Sequence, residues 1–241
     1  MQVDLKQFKL SIGNEKVERI GNDCKVKHFK FVGHLLDEFL TWDHHINHVQ
    51  GKLASANFAI GNCKNFLPLN VRKTLYNSLF RSHLDFGLLA WGGVTPSKLN
   101  KISKLQKKCV RNVGCKGFRS HTDPIFYALD ILKFDDLFFY NCSKFMQKYS
   151  IEKVPDSFSK FFTELTLPNR TFGYRLHNAK SKYLEQFPTF FLPRIWNSNS
   201  LELKCEVSPN IFKKSLYESL LDKYPPKVKC NSRSCPDCHP V

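Results

Sequence analysis

Near the N-terminus, apolar and polar side chains alternate in three short stretches before the spacing lengthens to that of a helix. Phe8-Lys9-Leu10-Ser11-Ile12 alternates, Gly13-Asn14 supplies a turn, and Lys16-Val17-Glu18-Arg19-Ile20 alternates again, which predicts a β-hairpin. His28-Phe29-Lys30-Phe31-Val32-Gly33 predicts a third strand with Phe29 and Phe31 on one face. From there Trp42, Ile46, Val49, Leu53, Ala56 and Ile60 fall at helical spacing, with Thr41 placed to cap. Pro68 opens a second helical stretch, in which Val71, Leu75, Leu79, Leu84 and Phe86 form the expected stripe until Gly92-Gly93 interrupts it. Thr95-Pro96 reads as a cap followed by proline at the first helical position, and that helix runs to Gly114.

Further helices are predicted from Thr122-Asp123-Pro124, from Asp135-Asp136 to near Tyr149, and from Ser208-Pro209 through Phe212, Leu216, Leu220 and Tyr224. Between Ile151 and Ser208 the prolines at 155, 168, 188 and 193 predict a looser texture, with Trp196-Asn197 anchoring a packed turn. The fold class expected is mainly α with a small N-terminal antiparallel β element (α+β). Its parts are strands over 1–38, a helical bundle over 39–150, a mixed region over 151–225 and a Cys-rich tail over 226–241.

The chain's 42% hydrophobic content is enough for a real core, and its formal net charge is +16. Position along the chain gives that charge its meaning. Residues 86–122 contain no acid, and Lys98, Lys101, Lys104, Lys108 and Arg111 recur every three or four positions, with Lys107 beside them and Lys116 and Arg119 beyond Gly114. Leu99, Ile102, Leu105 and Cys109 supply the apolar face by which such a helix docks. A cationic ridge of this kind is either a solvated face or a sequence-independent contact with phosphates. Soluble helices mix the two signs, and the missing acids favour the second reading.

No stretch approaches the about 20 apolar residues that span a bilayer, so no membrane partner is expected. Met1 to Gln7 carries no apolar signal core, which predicts an intracellular protein, cytoplasmic or nuclear, with reduced thiols.

Several phrases together resemble the reverse transcriptases of jockey-like non-LTR retrotransposons. Phe29 to Gly33, then Leu36-Asp37-Glu38, then Leu40-Thr41-Trp42-Asp43-His44-His45-Ile46 are similar to that family's segment after the catalytic palm, roughly F-L-G followed by D-x-x-L-x-W-x-x-H-I. Leu75 to Leu79, Ser82 to Gly87, Trp91-Gly92 and Leu105-Gln106-Lys107-Lys108-Cys109-Val110-Arg111 follow, then His121 to Phe126, Ile195-Trp196-Asn197 and Phe212 to Leu216, in the family's order.

The resemblance implies the C-terminal portion of an RNA-directed DNA polymerase. Phe29, Phe31 and Gly33 would belong to the primer grip, and residues 40–149 to a thumb that clamps template and primer. The alternative for Phe29 and Phe31 is a place as core aromatics of a strand. It also implies that the carboxylates holding two Mg²⁺ ions belong to a Tyr/Phe-x-Asp-Asp hairpin and an earlier strand upstream of residue 1, so this chain alone is expected to be inactive and to need no cofactor. Phe134-Asp135-Asp136 resembles the catalytic hairpin only superficially: Lys133 stands where the aromatic belongs, and acids at a helix start favour the dipole.

The partners expected are RNA, an RNA–DNA hybrid or DNA, together with the remaining polymerase domains. A second reading is a domesticated scaffold that binds protein. Cys230, Cys235, Cys238 and His239 offer Zn²⁺ a thiolate–imidazole set of irregular spacing, against a reduced flexible tail. His44 and His48, four apart, offer only half a metal site.

Overall fold

The computed structural model describes residues 10–17, 20–21, 24, 26–158, 161–165 and 173–224. It is mainly helical with a small antiparallel β element at its start, as the patterning predicts, but that element is two hairpins rather than one hairpin and a lone strand. The chain divides into two compact units, Met1–Asn47 and His48–Val241.

In the first unit β1 (Leu10–Ile12) pairs with β2 (Glu15–Val17) across Gly13-Asn14, with Gly13 at φ +62°. The third strand ends earlier than its alternation suggests. β3 (His28–Phe31) turns through Val32 and Gly33 and pairs with β4 (His34–Asp37), Phe31 opposite His34. Val32 at φ +44° and Gly33 at φ +83° make a two-residue turn with both central residues left-handed, a geometry matched to the twist of paired strands.

Beyond β4, Asp37 organises the turn into the first helix. Its carboxylate accepts hydrogen bonds from the backbone N–H of Phe39 (3.2 Å), Thr41 (2.9 Å) and Trp42 (2.9 Å) and from the Thr41 hydroxyl (3.1 Å). Burial raises the affinity of this carboxyl for its proton, but these donors outweigh it and hold the group below its ordinary range. They also hold Leu40 and Trp42 at positive φ. Trp42 therefore stands outside the helix, and α1 (Asp43–Cys63) starts one residue later than its apolar spacing implies.

α1 continues into the second unit with Val49, Leu53, Ala56 and Ile60 buried. α2 (Leu69–Leu75) passes into a π-helical stretch, Tyr76–Arg81, and then α3 (Ser82–Asp85). The buried residues here are Arg72, Tyr76, Phe80, Leu84 and Leu88, while Val71, Leu79 and Phe86 are exposed. The expected stripe is displaced because the inner residues recur every four positions, a spacing that the wider π turn keeps on one face.

α4 (Leu88–Trp91) leads to Gly92-Gly93, where the chain is crowded. A Cβ at Gly92 would lie 2.5 Å from the Phe138 ring, and one at Gly93 2.5 Å from the Phe191 ring. α5 (Pro96–Val113) has the predicted bounds, followed by α6 (Asp123–Ala128) and α7 (Phe134–Ser150). α7 is the hub of this unit, packing against α4, α5, α8 (Pro188–Ser198) and α10 (Pro209–Leu221).

The described residues after α7 hold more helix than their prolines suggest. Pro188 occupies the first position of α8, where a missing N–H costs nothing, and Pro193 is buried within the same helix. Trp196 and Asn197 thus lie in a helix rather than a turn. Trp196 packs against Phe212, and the Asn197 amide clamps the Tyr174 backbone, accepting from its N–H (2.9 Å) and donating to its carbonyl (2.8 Å). Tyr174 in turn packs against Tyr149 and Phe162. A short α9 (Leu201–Cys205) precedes α10, whose Phe212, Leu216 and Leu220, with Tyr224 just beyond, are all buried as spaced.

Candidate nucleic-acid interface

α5 has two opposite faces. Leu99, Ile102, Gln106, Cys109, Val110 and Val113 are buried, while Lys101, Lys104, Lys107 and Lys108 are exposed. Lys98 and Arg111 lie half-buried at the flanks. The inner stripe departs from its apolar reading at one step: Leu105 is only half-buried, and Gln106 takes the core position. Its amide donates to the Tyr76 hydroxyl (3.0 Å) and to the Leu132 carbonyl (2.9 Å), so the amide nitrogen of a side chain 1% exposed uses both of its donors. Spacing marks it, since 102, 106, 110 and 113 form one helical row.

A second tether fixes the end of the helix. Asn112 donates to the Asn57 side chain of α1 (2.9 Å), close to Gly61, where a Cβ would come within 3.2 Å of the same amide. Burial pushes the Cys109 thiol up to about 12, so it behaves as an apolar core group.

With rotation fixed in this way, the outer face presents cations in sequence. Among the described residues, Lys101, Lys104 and Lys108 make no ion pair. Lys101 to Lys108 spans about 10 Å along the axis at the helical rise. That is the axial length of roughly three phosphates on one duplex strand.

Lys107, also exposed, differs in that its charge acts on Asp135 at the start of α7. Burial and the neighbouring Asp136 raise the Asp135 carboxyl above its ordinary value, and Lys107 and Lys133 oppose that rise. Arg111 also differs: its Nε donates to the Ser120 carbonyl (2.8 Å), and desolvation lowers its proton affinity. It ties down the chain after the helix. Lys116 and Arg119 are exposed in that following segment.

The Asp135-Asp136 pair opens α7, and the Asp136 carboxylate accepts the Tyr224 hydroxyl, whose ring lies under the Lys133 ammonium at 4.3 Å. Among the described residues no group of three His, Cys, Asp or Glu is placed to hold a metal ion. Cys230, Cys235, Cys238 and His239 lie outside the described residues. His44 packs against His28, with ring centroids 4.8 Å apart and the planes tilted by 30°, within the first unit.

In that unit, Phe29 and Phe31 are 52% and 58% exposed, so neither is a core aromatic. The same unit gives the D-x-x-L-x-W-x-x-H-I phrase a structural content. Asp37 holds the turn, Trp42 packs edge-on to His45 (5.8 Å between centroids), and His45 and Ile46 are buried. No described helix is long and apolar enough to cross a membrane.

This chain is 29% identical over 136 residues to the RNA-directed DNA polymerase from mobile element jockey of Drosophila melanogaster, a stretch covering 55% of this chain and 14% of that protein. No family model and no solved structure matches the chain. The likeness supports a reverse-transcriptase-like relationship and an origin among retrotransposon polymerases.

Proposed function

We propose that this chain supplies the template–primer grip of a jockey-like retrotransposon RNA-directed DNA polymerase, as its thumb, and carries none of the catalytic carboxylates. The observation that carries this reading is the outer face of α5, where Lys101, Lys104 and Lys108 stand exposed and without carboxylate partners among the described residues, opposite a face locked into the core. Laid along a sugar–phosphate strand, these ammonium groups displace condensed counterions, and the release of those ions drives binding. The contact reads backbone rather than base edges, as suits a clamp that must accept every template position.

On this reading, β3 and its turn, with exposed Phe29 and Phe31, form part of the primer grip. The Mg²⁺ ions of nucleotidyl transfer would be held by carboxylates of other polymerase domains, since Asp135 and Asp136 open a helix and Asp136 accepts the Tyr224 hydroxyl.

The test is equilibrium binding of an RNA–DNA hybrid across a salt series. The unaltered chain should bind with affinity falling steeply as salt rises. Lys101→Glu, Lys104→Glu and Lys108→Glu combined should lower the slope of log affinity against log salt by about 2.7, at about 0.9 for each phosphate no longer neutralised. An unchanged slope refutes the ridge. Partner capture insensitive to salt, with no retention of nucleic acid, would support the scaffold reading instead.

A further inference from the structure

The segment after α5 presents an aromatic ring to solvent from an anchored backbone. Gly114 N–H donates to the Val110 carbonyl (2.9 Å), Cys115 N–H to Asn112 (3.2 Å) and Lys116 N–H to Arg111 (2.9 Å), with Cys115 at φ +52°. The chain then makes a hydrogen-bonded β-turn, Ser120 N–H to the Gly117 carbonyl at 3.1 Å, which sets Phe118 and Arg119 at the two central positions. Ser120 is itself buried, and its carbonyl is the group that receives Arg111 Nε. Thr122, also buried, then opens α6. The turn is therefore held at both ends, while Phe118 is 81% exposed.

A lone exposed apolar side chain is ordinary on a protein surface. This one is distinguished by its setting. It follows the cationic face of α5, sits between exposed Lys116 and Arg119, and belongs to a run of 37 residues, 86–122, without an acid. Arg119 makes no ion pair among the described residues. An apolar protein partner would have to desolvate these cations, whereas a nucleotide offers a π-face and a phosphate together.

We propose that Phe118 is a stacking platform for an unpaired base of the nucleic acid held on α5, with Arg119 on the adjoining phosphate. The inference rests on the nucleic-acid reading of α5 and adds a ligand class to it: a single-stranded overhang of any sequence beside the duplex. Arg111 is a positioning residue here, holding the turn through Ser120.

The experiment compares the full chain's affinity for a blunt RNA–DNA hybrid with that for the same hybrid bearing a template overhang, one overhang base being a fluorescent purine analogue. The overhang should bind about tenfold more tightly, as one base stacked on one aromatic allows. It should also change the analogue's emission. Phe118→Ala should abolish both differences and leave blunt-hybrid affinity and its salt slope unchanged, and Phe118→Trp should restore both. Equal affinity for the two hybrids, or an overhang preference that survives Phe118→Ala, overturns the stacking proposal alone. Failure of the unaltered chain to bind either hybrid overturns it together with the reading of α5.

Discussion

Replacing Gln106 with leucine tests whether the orientation of the lysine face is fixed from inside the core. The substitution keeps the volume nearly constant but strands two buried groups, the Tyr76 hydroxyl and the Leu132 carbonyl, both now satisfied by the Gln106 amide. Each stranded buried polar group costs about 1–3 kcal/mol, so the pair costs about 4 kcal/mol. The apolar leucine side chain returns about 2 kcal/mol on burial. The net loss of about 2 kcal/mol should lower the midpoint of thermal unfolding by about 4–8 °C for a unit of this size. Burial already drives the Tyr76 phenol far above its ordinary value, and the Gln106 hydrogen bond only partly opposes that, so the hydroxyl has no charged state to escape into. Adding Tyr76→Phe to Gln106→Leu removes one stranded group and should recover about 1 kcal/mol or more. The assay is circular dichroism on the four proteins of the cycle. A Gln106→Leu chain that melts at or above the parent, or strictly additive effects of the two changes, would refute the internal tether.

Four further outcomes are expected. Gly93→Ala should destabilise the second unit by about 3 kcal/mol, because the new methyl meets the Phe191 ring and the Gln186 carbonyl, and this shows in urea unfolding. Asp37→Ala should cost about 2 kcal/mol by removing the acceptor for three backbone N–H groups, measured as reduced exchange protection at Thr41 and Trp42. Because the folded-state pKa of Asp37 is depressed, the stability it contributes is present above the ordinary carboxylate value of about 3.9 and is lost as pH falls below it. Burial lowers the His34 pKa, so the unfolded state takes the proton more readily; the β3–β4 hairpin should hold at neutral pH and loosen as pH falls below about 6.5, followed by amide exchange and absent in His34→Phe.

The legible parts of this fold are those where a chemical signal coincides with the end of an element. Thr95-Pro96 and Gly114 bracket α5, Ser208-Pro209 opens α10, and Gly13-Asn14 closes the first hairpin, so these elements stand where the sequence places them. β4 is hidden because Val32 occupies a left-handed turn position that β-branched residues rarely take, so Phe31-Val32-Gly33 reads as a continuing strand. The stripe from Arg72 to Leu88 is displaced from its reading because a buried arginine looks like a surface residue and the π turn shifts the period. α8 is masked by prolines that read as breakers. At the candidate site, the cationic face is visible from spacing. One departure from it, Arg111 tied to Ser120, depends on how the chain turns back after the helix, which spacing does not show. Phe118 escapes notice because nothing about one phenylalanine in sequence distinguishes an interior ring from one held out on a turn.

The division of α5 into a tethered side and a cationic side has an evolutionary consequence. Substitutions at Lys101, Lys104 or Lys108 touch nothing that the globule needs in order to assemble. If the proposed grip on polyanions holds, a lineage could therefore shed it one codon at a time and still produce a well-packed protein, while drift at Gln106 or Asn112 would be purged through misfolding. In related sequences, the ratio of change at these two sets of positions would record whether the outward side chains have remained under selection.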